Sequence, residues 1–207
     1  MILTRLETVT AYRMHTPKWA FAPTSGAGAA QHGGRANRPG VAALYLALDI
    51  ETAVTEYRQV STLLPPGTLV SYQVTADRIA DFREGFDASR WGPIWEDFYC
   101  DWRELWFNQR VEPPCWVIGD EVIAEGIKGI LFKSRLSDGG TNLVLYQEIF
   151  TATDSLGVFD PGQSLPKNQD SWVTPNELTA ETLRKSLRNE DVLHASDSDE
   201  LLRKLGL

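Results

Sequence analysis

The sequence predicts an α+β domain, with a mixed β core, surrounding helices and a helical extension at the C-terminus. Strand-like runs outnumber long helical ones, two apolar runs flank the turn Asp138-Gly139-Gly140, and helix-start signatures cluster after residue 171. With 207 residues, 43% of them hydrophobic and 10% aromatic, the chain can bury one core and carry an appendage. The expected division is a catalytic-size domain over 1–150, followed by a linker and helical extension over 151–207.

The opening residues 1–10 include Arg5 and Glu7, where a signal peptide needs an apolar stretch. Segment 24–34, TSGAGAAQHGG, is rich in small residues and reads as a loop. It leads to VAALYLAL at 41–48, a buried strand and the longest nearly apolar run. That run is far shorter than the ~20 residues a membrane span requires, so the expected location is cytoplasmic. Asp49 can cap a helix over 50–59, which Pro65 and Pro66 close off. A strand at 68–74, a short helix at 79–84 and a loop at 85–93 follow.

Between 94 and 110, Trp95, Phe98, Tyr99, Trp102, Leu105 and Trp106 recur at the spacing of one helical face. The pattern predicts an amphipathic helix, its stripe packed in the core, or else exposed as a partner surface. Pro113 and Pro114 should stop it. A short strand at 115–118, a brief helix at 120–125 and strands at 126–134 and 142–150 complete the core, and 151–171 is polar and punctuated by Gly and Pro. Thr174-Pro175-Asn176-Glu177 is a capping box, and Asp197 with Glu200 repeats it, so the chain should end in two helices.

A net charge of −8 argues against an extended surface for nucleic acid. Cys100 and Cys115 fit neither a disulfide framework nor a structural zinc site, and His15, His32 and His194 lack metal-ligand spacing, so no metal is expected.

Against that acidity, residues 8–48 contain no Asp or Glu, where the chain average would place roughly five or six. The same window holds Arg13, Lys18, Arg35, Arg38 and the glycine-rich loop. Arginine forks and free backbone N–H groups together suit an anion such as a phosphate. Neither the dinucleotide fingerprint nor the Walker loop is present, because position 31 is Gln and no GxxxxGK[ST] occurs. Just beyond the window, Glu56 falls at the edge of the apolar face of helix 50–59. A carboxylate beside an arginine-lined anion site, without a metal, suits chemistry in which positive charge develops on a sugar.

The run Gly33-Gly34-Arg35-Ala36-Asn37-Arg38-Pro39-Gly40, then Ala43-Leu44-Tyr45-Leu46-Ala47 and Glu56, resembles the RES domain family, named for an Arg, a Glu and a Ser. The family's arginine-to-tyrosine and tyrosine-to-glutamate spacings are kept by Arg35, Tyr45 and Glu56. Its serine matches Ser134, its closing strand Gly139 to Leu145, and its opening pair Tyr12-Arg13. The likeness spans roughly residues 11–150 of this chain. Ala36 stands where the family usually has an aromatic, a change expected to widen the pocket mouth or alter how a ring is held.

The resemblance implies an ADP-ribosyltransferase-like fold and a toxin of a toxin–antitoxin pair, with NAD as substrate and an Xre-type antitoxin as partner. Arg35 and Arg13 would hold the pyrophosphate, and Tyr45 would orient the nicotinamide riboside. Glu56 would stabilise the oxocarbenium ion, Ser134 and Asn142 would bond ribose or the nicotinamide amide, and Asn37 would join the binding set. Water as acceptor gives a glycohydrolase, phosphate a phosphorylase and a protein side chain an ADP-ribosyltransferase. The alternatives are a non-catalytic module that binds NAD or ADP-ribose, and an interaction domain that uses the 95–106 stripe. A homodimer is also compatible with the sequence.

Overall fold

Two long strands set the frame. β1 (Leu3–His15) and β3 (Thr68–Asp81) pair antiparallel, from Leu3 opposite Ala80 to His15 opposite Thr68. β1 also meets β2 (Leu44–Ala47) where Tyr12 faces Ala47. β2 pairs antiparallel with β5 (Thr141–Leu145), β5 pairs antiparallel with β4 (Gly129–Lys133), and β4 runs parallel to the end of β3. The order β1-β2-β5-β4-β3 thus returns to β1 and closes a ring, with β6 (Ser155–Val158) added antiparallel to the middle of β3. Register shifts between Thr4 and Leu6 and between Leu6 and Val9, with Thr8 at φ 54, bend β1 so that it reaches both neighbours.

This computed structural model describes residues 1–59 and 61–170, together with 181, 182, 184, 185, 187, 188, 190, 200, 203 and 204. Met1–Leu165 form one compact unit and Pro166–Leu207 another. Within the second unit the described residues 181, 182, 184, 185, 187, 200, 203 and 204 are helical. The capping box at 174–177 and the signal at Asp197 lie outside the described residues. Among the described residues, no helix is long and apolar enough to cross a membrane.

Alternation along the strands builds two cores. Leu44, Leu46, Val70, Tyr72, Val74, Leu131, Leu143 and Leu145 form a cluster contributed by the strands themselves. Ile130, Phe132 and Val144 point the other way, onto Phe82, Trp91, Trp95, Phe98 and the α3 (Pro114–Ala124) residues Ile118 and Val122. A third, smaller cluster joins Trp102, Cys115 and Trp116. Two further helices lie in the first half: α1 (Ala27–His32) and α2 (Ile50–Arg58). The Asp49 cap on α2 is observed, with Thr52 N at 2.7 Å from Oδ1 and Thr52 Oγ1 at 2.8 Å from Oδ2.

Several elements differ from expectation. The short helix at 79–84 does not form, because β3 continues to Asp81 and its last residues pair with both β1 and β4. The single helix at 94–110 is broken into a 3₁₀ turn over Pro93–Asp97 and a π-helical turn over Glu104–Gln109. The strand at 115–118 is instead the start of α3, where Pro114 occupies the first helical position rather than ending a helix. The 151–171 stretch contributes β6 to the sheet, and β1 was not anticipated as a strand at all.

Candidate active site

Glu56 sits in the second half of α2 and is half-buried, at the edge position its spacing predicted. Its Oε1 accepts the Ser134 hydroxyl at 2.7 Å and Asn142 Nδ2 at 2.7 Å, while Oε2 has no hydrogen-bond partner among the described residues. Ser134 lies one residue beyond β4, and its Oγ also accepts the backbone N–H groups of Leu136 and Ser137 at 3.0 Å each. A backbone bond from Ser134 N to Gly140 O, 2.8 Å, closes the turn. A Cβ on Gly140 would lie 2.2 Å from Thr52 Oγ1, so glycine there is what lets α2 approach the turn. Asn142 pairs with Ala47 across β2 and β5. Helix, turn and strand therefore meet on one carboxylate oxygen and leave the other open.

The Arg35 loop is held from below. Tyr45 donates its hydroxyl to Asn37 Oδ1 at 2.7 Å and accepts the N–H of Ala36 at 2.9 Å. Asn37 Nδ2 donates to the carbonyls of Ala29, Arg38 and Val41, and the residue is 1% exposed. Asn37 is thus not presented to a ligand; both of its polar atoms fix the loop. The Tyr45 hydroxyl is likewise committed, and burial pushes its pKa up, which leaves the half-buried ring as the surface it can offer. Ala36 faces α3, not a pocket mouth. It is fully buried, its carbonyl accepts the Tyr146 hydroxyl at 2.6 Å, and a Cβ on Gly119 would come within 2.2 Å of that oxygen. The expected widening of the mouth therefore does not arise. Trp116 completes the support by donating Nε1–H to Gly34 O at 2.7 Å.

Arg35 itself reaches the segment 98–100. Its Nη1 donates to Phe98 O and Cys100 O, both at 3.0 Å, and the guanidinium lies 5.5 Å from the centre of the Tyr99 ring. Tyr99 in turn donates its hydroxyl to Lys133 O at 3.2 Å, and its backbone carbonyl accepts from Arg135 Nη1 at 2.9 Å. The 98–100 turn therefore stitches the Arg35 loop to the residues around Ser134. Of the two thiols, half-buried Cys100 lies on this turn and contacts buried Cys115 of α3. The hydrogen bond from Cys115 lowers the Cys100 pKa to about 6, and the same contact together with burial pushes Cys115 up.

Arg13 extends from β1. Its Nη1 is a buried polar nitrogen with no hydrogen-bond partner, which among native side chains calls for an explanation. No carboxylate forms a salt bridge with Arg13 or Arg35 among the described residues, whereas Arg38 is taken up by Glu112 and Asp120. Next to Arg13, buried His15 sits 2.6 Å from the Tyr72 hydroxyl, which donates to Pro23 O at 2.8 Å. Tyr72 has one proton, so His15 Nε2 supplies the other hydrogen bond and is the protonated nitrogen of a neutral ring. Burial, then the charge of Arg13, lower the His15 pKa to about 4.

The structure thus brings Glu56, Ser134 and Asn142 together directly and connects Arg35 to them through Tyr99. Sequence reasoning missed Trp116 and Arg135 as supports of the site. Arg135 had a signal, being the cation next to Ser134; Trp116 had none, since long-range folding alone brings it there. The aromatic stripe is largely core: Trp95, Phe98 and Trp102 are buried, and Tyr99 and Trp106 are partly buried against the same clusters.

A family model described as the RES domain matches residues 10–166. No curated protein matches the chain. Among solved structures, a chain of the M. tuberculosis MbcT–MbcA toxin–antitoxin complex is similar, with a TM-score of 0.53 and 21% sequence identity over 76% of this chain and 85% of that one. At that identity the likeness speaks for the fold, and the family match, which covers most of the chain, shows that it belongs to the RES domain family.

Proposed function

We propose that this protein is a toxin-type enzyme that cleaves the N-glycosidic bond of NAD and releases nicotinamide, with water or phosphate as the acceptor. The observation that carries the reading is Glu56, tethered through Oε1 by Ser134 and Asn142 with Oε2 left open, in a fold whose Arg35 and Arg13 have no carboxylate partner among the described residues. Family membership and the similar fold of a toxin–antitoxin component support it.

In the reaction, the bond between the ribose C1′ and the nicotinamide nitrogen breaks, and its electron pair leaves with the ring. Nicotinamide departs neutral, so neither a metal nor a strong general acid is needed. Glu56 Oε2 stabilises the positive charge that develops at C1′, and its negative charge counts most in the transition state. Water or phosphate then adds to C1′; in hydrolysis, the proton lost from water passes to Glu56 or to solvent. Arg35 and Arg13 hold the diphosphate, and the Tyr45 ring borders the nicotinamide riboside. Asn37 acts indirectly, by holding Tyr45 and the Arg35 loop. An Xre-type antitoxin is the proposed partner, and the cytoplasm the proposed location.

Incubating the purified chain with NAD, with and without inorganic phosphate, and resolving the products by chromatography and mass spectrometry tests the reading. Nicotinamide together with ADP-ribose, or with its phosphorylated form, is the expected result and names the acceptor. NAD that stabilises the protein against heat but is never cleaved would point to a binding module or to a transferase awaiting a protein target.

A further inference from the structure

Three successive carbonyls, those of Phe98, Tyr99 and Cys100, hold two guanidinium groups: Arg35 on the outer two and Arg135 on the middle one. They follow the 3₁₀ turn Pro93–Asp97, and the Cys100 carbonyl also accepts the Trp102 N–H at 3.0 Å. Bonding these carbonyls accounts for one nitrogen of each arginine. It does not account for two like charges placed side by side with no salt bridge to a carboxylate among the described residues, in a chain of net charge −8. Burial chiefly, and the like charge of Arg135 as a smaller cause, weaken the hold of Arg35 on its proton. Each group keeps nitrogens uncommitted among the described residues, and Arg135 is exposed.

We propose that Arg35 and Arg135 form a two-arginine clamp for a phosphoryl-class dianion beside the Ser134–Glu56 pair. A dianion removes the repulsion between the guanidiniums and accepts the charge-assisted hydrogen bonds that their free edges offer. Ser134, adjacent in sequence to Arg135, bonds Glu56 at 2.7 Å, so the clamp adjoins the proposed reaction centre and its role rests on that reading. Two sources share this chemistry: the diphosphate of the dinucleotide, and a free phosphate arriving as acceptor.

Titration calorimetry on the full chain and on Arg135→Gln, with inorganic phosphate, ADP-ribose and phosphate-free nicotinamide riboside as probes, separates them. The exposed Arg135 side chain makes one protein hydrogen bond in the structure, so the variant should fold with the thermal midpoint of the parent. Loss of about tenfold or more in ADP-ribose affinity, with nicotinamide riboside unaffected, assigns the clamp to the diphosphate. A similar loss for inorganic phosphate alone assigns it to the acceptor. Arg135→Lys, which keeps the charge without the fork, should fall between parent and Gln variant for whichever probe responds. Unchanged affinity for both phosphate-bearing probes overturns the clamp, as does a parent that binds neither. Phosphate binding that depends on Arg135 in a chain that releases no nicotinamide would keep the clamp and sink the enzymatic reading.

Discussion

Ser134 donates its only hydroxyl proton to Glu56 Oε1 at 2.7 Å, because its lone pairs already accept the N–H groups of Leu136 and Ser137. The turn fixes Ser134, and Ser134 fixes the carboxylate. In the proposed reaction Ser134 is accordingly a positioning residue, and Glu56 is the group that would face the reacting carbon.

That division has a kinetic signature. Glu56→Gln should keep NAD binding and lower kcat by 10³-fold or more, about 4 kcal/mol of transition-state stabilisation. Ser134→Ala leaves the carboxylate in place with the Asn142 tether, so kcat should drop by roughly tenfold with KM little changed. Single-turnover rates and equilibrium binding on both variants check it. Equal losses in the two would make Ser134 a participant in the chemistry.

Gly119 offers a test of how the Arg35 loop is held. Gly to Ala inside a helix ordinarily gains about 1 kcal/mol. Here the new methyl would meet Ala36 O at 2.2 Å, a backbone atom already bonded to Tyr146, and overpacking of this kind costs about 1–3 kcal/mol. Gly119→Ala should therefore be less stable in urea than the parent, and it should raise KM for NAD because the displaced loop carries Arg35.

How much of this was legible from sequence depends on the range of the forces involved. The Asp49 cap and α2 were readable because the cap bonds only three residues on, and the likeness of the Arg35, Tyr45, Glu56 and Ser134 pattern to the RES domain picked out the family. The 94–110 helix was not, although its aromatic spacing is helical. Trp95 and Phe98 pack with Phe82 in one core, whereas Trp102 packs with Cys115 and Trp116 in another. One straight helix cannot serve both cores, and the helical path is broken at 98–101. At 79–84 local propensity gave way to pairing with β1 and β4, contacts that no short window contains. Pro113-Pro114 is ambiguous in itself, since proline both ends one helix and begins the next. Asn37 and Ala36 show the limit for sites: pattern located them near the arginine, but only packing reveals that they support it from behind.

His15 makes stability depend on pH. Its pKa in the folded chain is lowered from 6.5 to about 4, so the unfolded chain takes up a proton first as the pH falls. The contribution is complete above pH 6.5 and is lost progressively down to about pH 4, with a total of order 3 kcal/mol. His15→Gln, which can still donate to Tyr72, should remove most of the slope between pH 7 and pH 4.5 in urea unfolding experiments. An unchanged slope would place the titration elsewhere.

Lys128 and Asp154 fasten the β6 excursion to the sheet. Both side chains are almost wholly buried, 4% and 0% exposed, with Nζ 2.7 Å from Asp154 Oδ2 and a second pairing to Asp77. Asp154 also accepts the N–H groups of Thr151 at 2.6 Å and Asp77 at 3.2 Å, so one carboxylate joins the start of the excursion to β3. Burial alone would raise its pKa, yet the hydrogen bonds from Lys128, Thr151 and Asp77 overcome it and bring it down to about 2. Removing the acid leaves the buried ammonium with Asp77 alone, and Asp154→Ala should cost about 2 kcal/mol at pH 7. The sign with pH follows from the lowered value: the carboxylate's contribution is present above its ordinary 3.8 and is lost as the pH falls through about 2. Parent and variant should therefore converge in stability below pH 2 and separate above pH 4. Replacing both partners together, Lys128→Met with Asp154→Leu, should recover much of the loss, because the cost lies in a buried ammonium left with half of its counter-charge rather than in the absence of the ion pair. If the double variant were no more stable than Asp154→Ala, the backbone bonds of Asp154, and not its charge, would be what anchors β6.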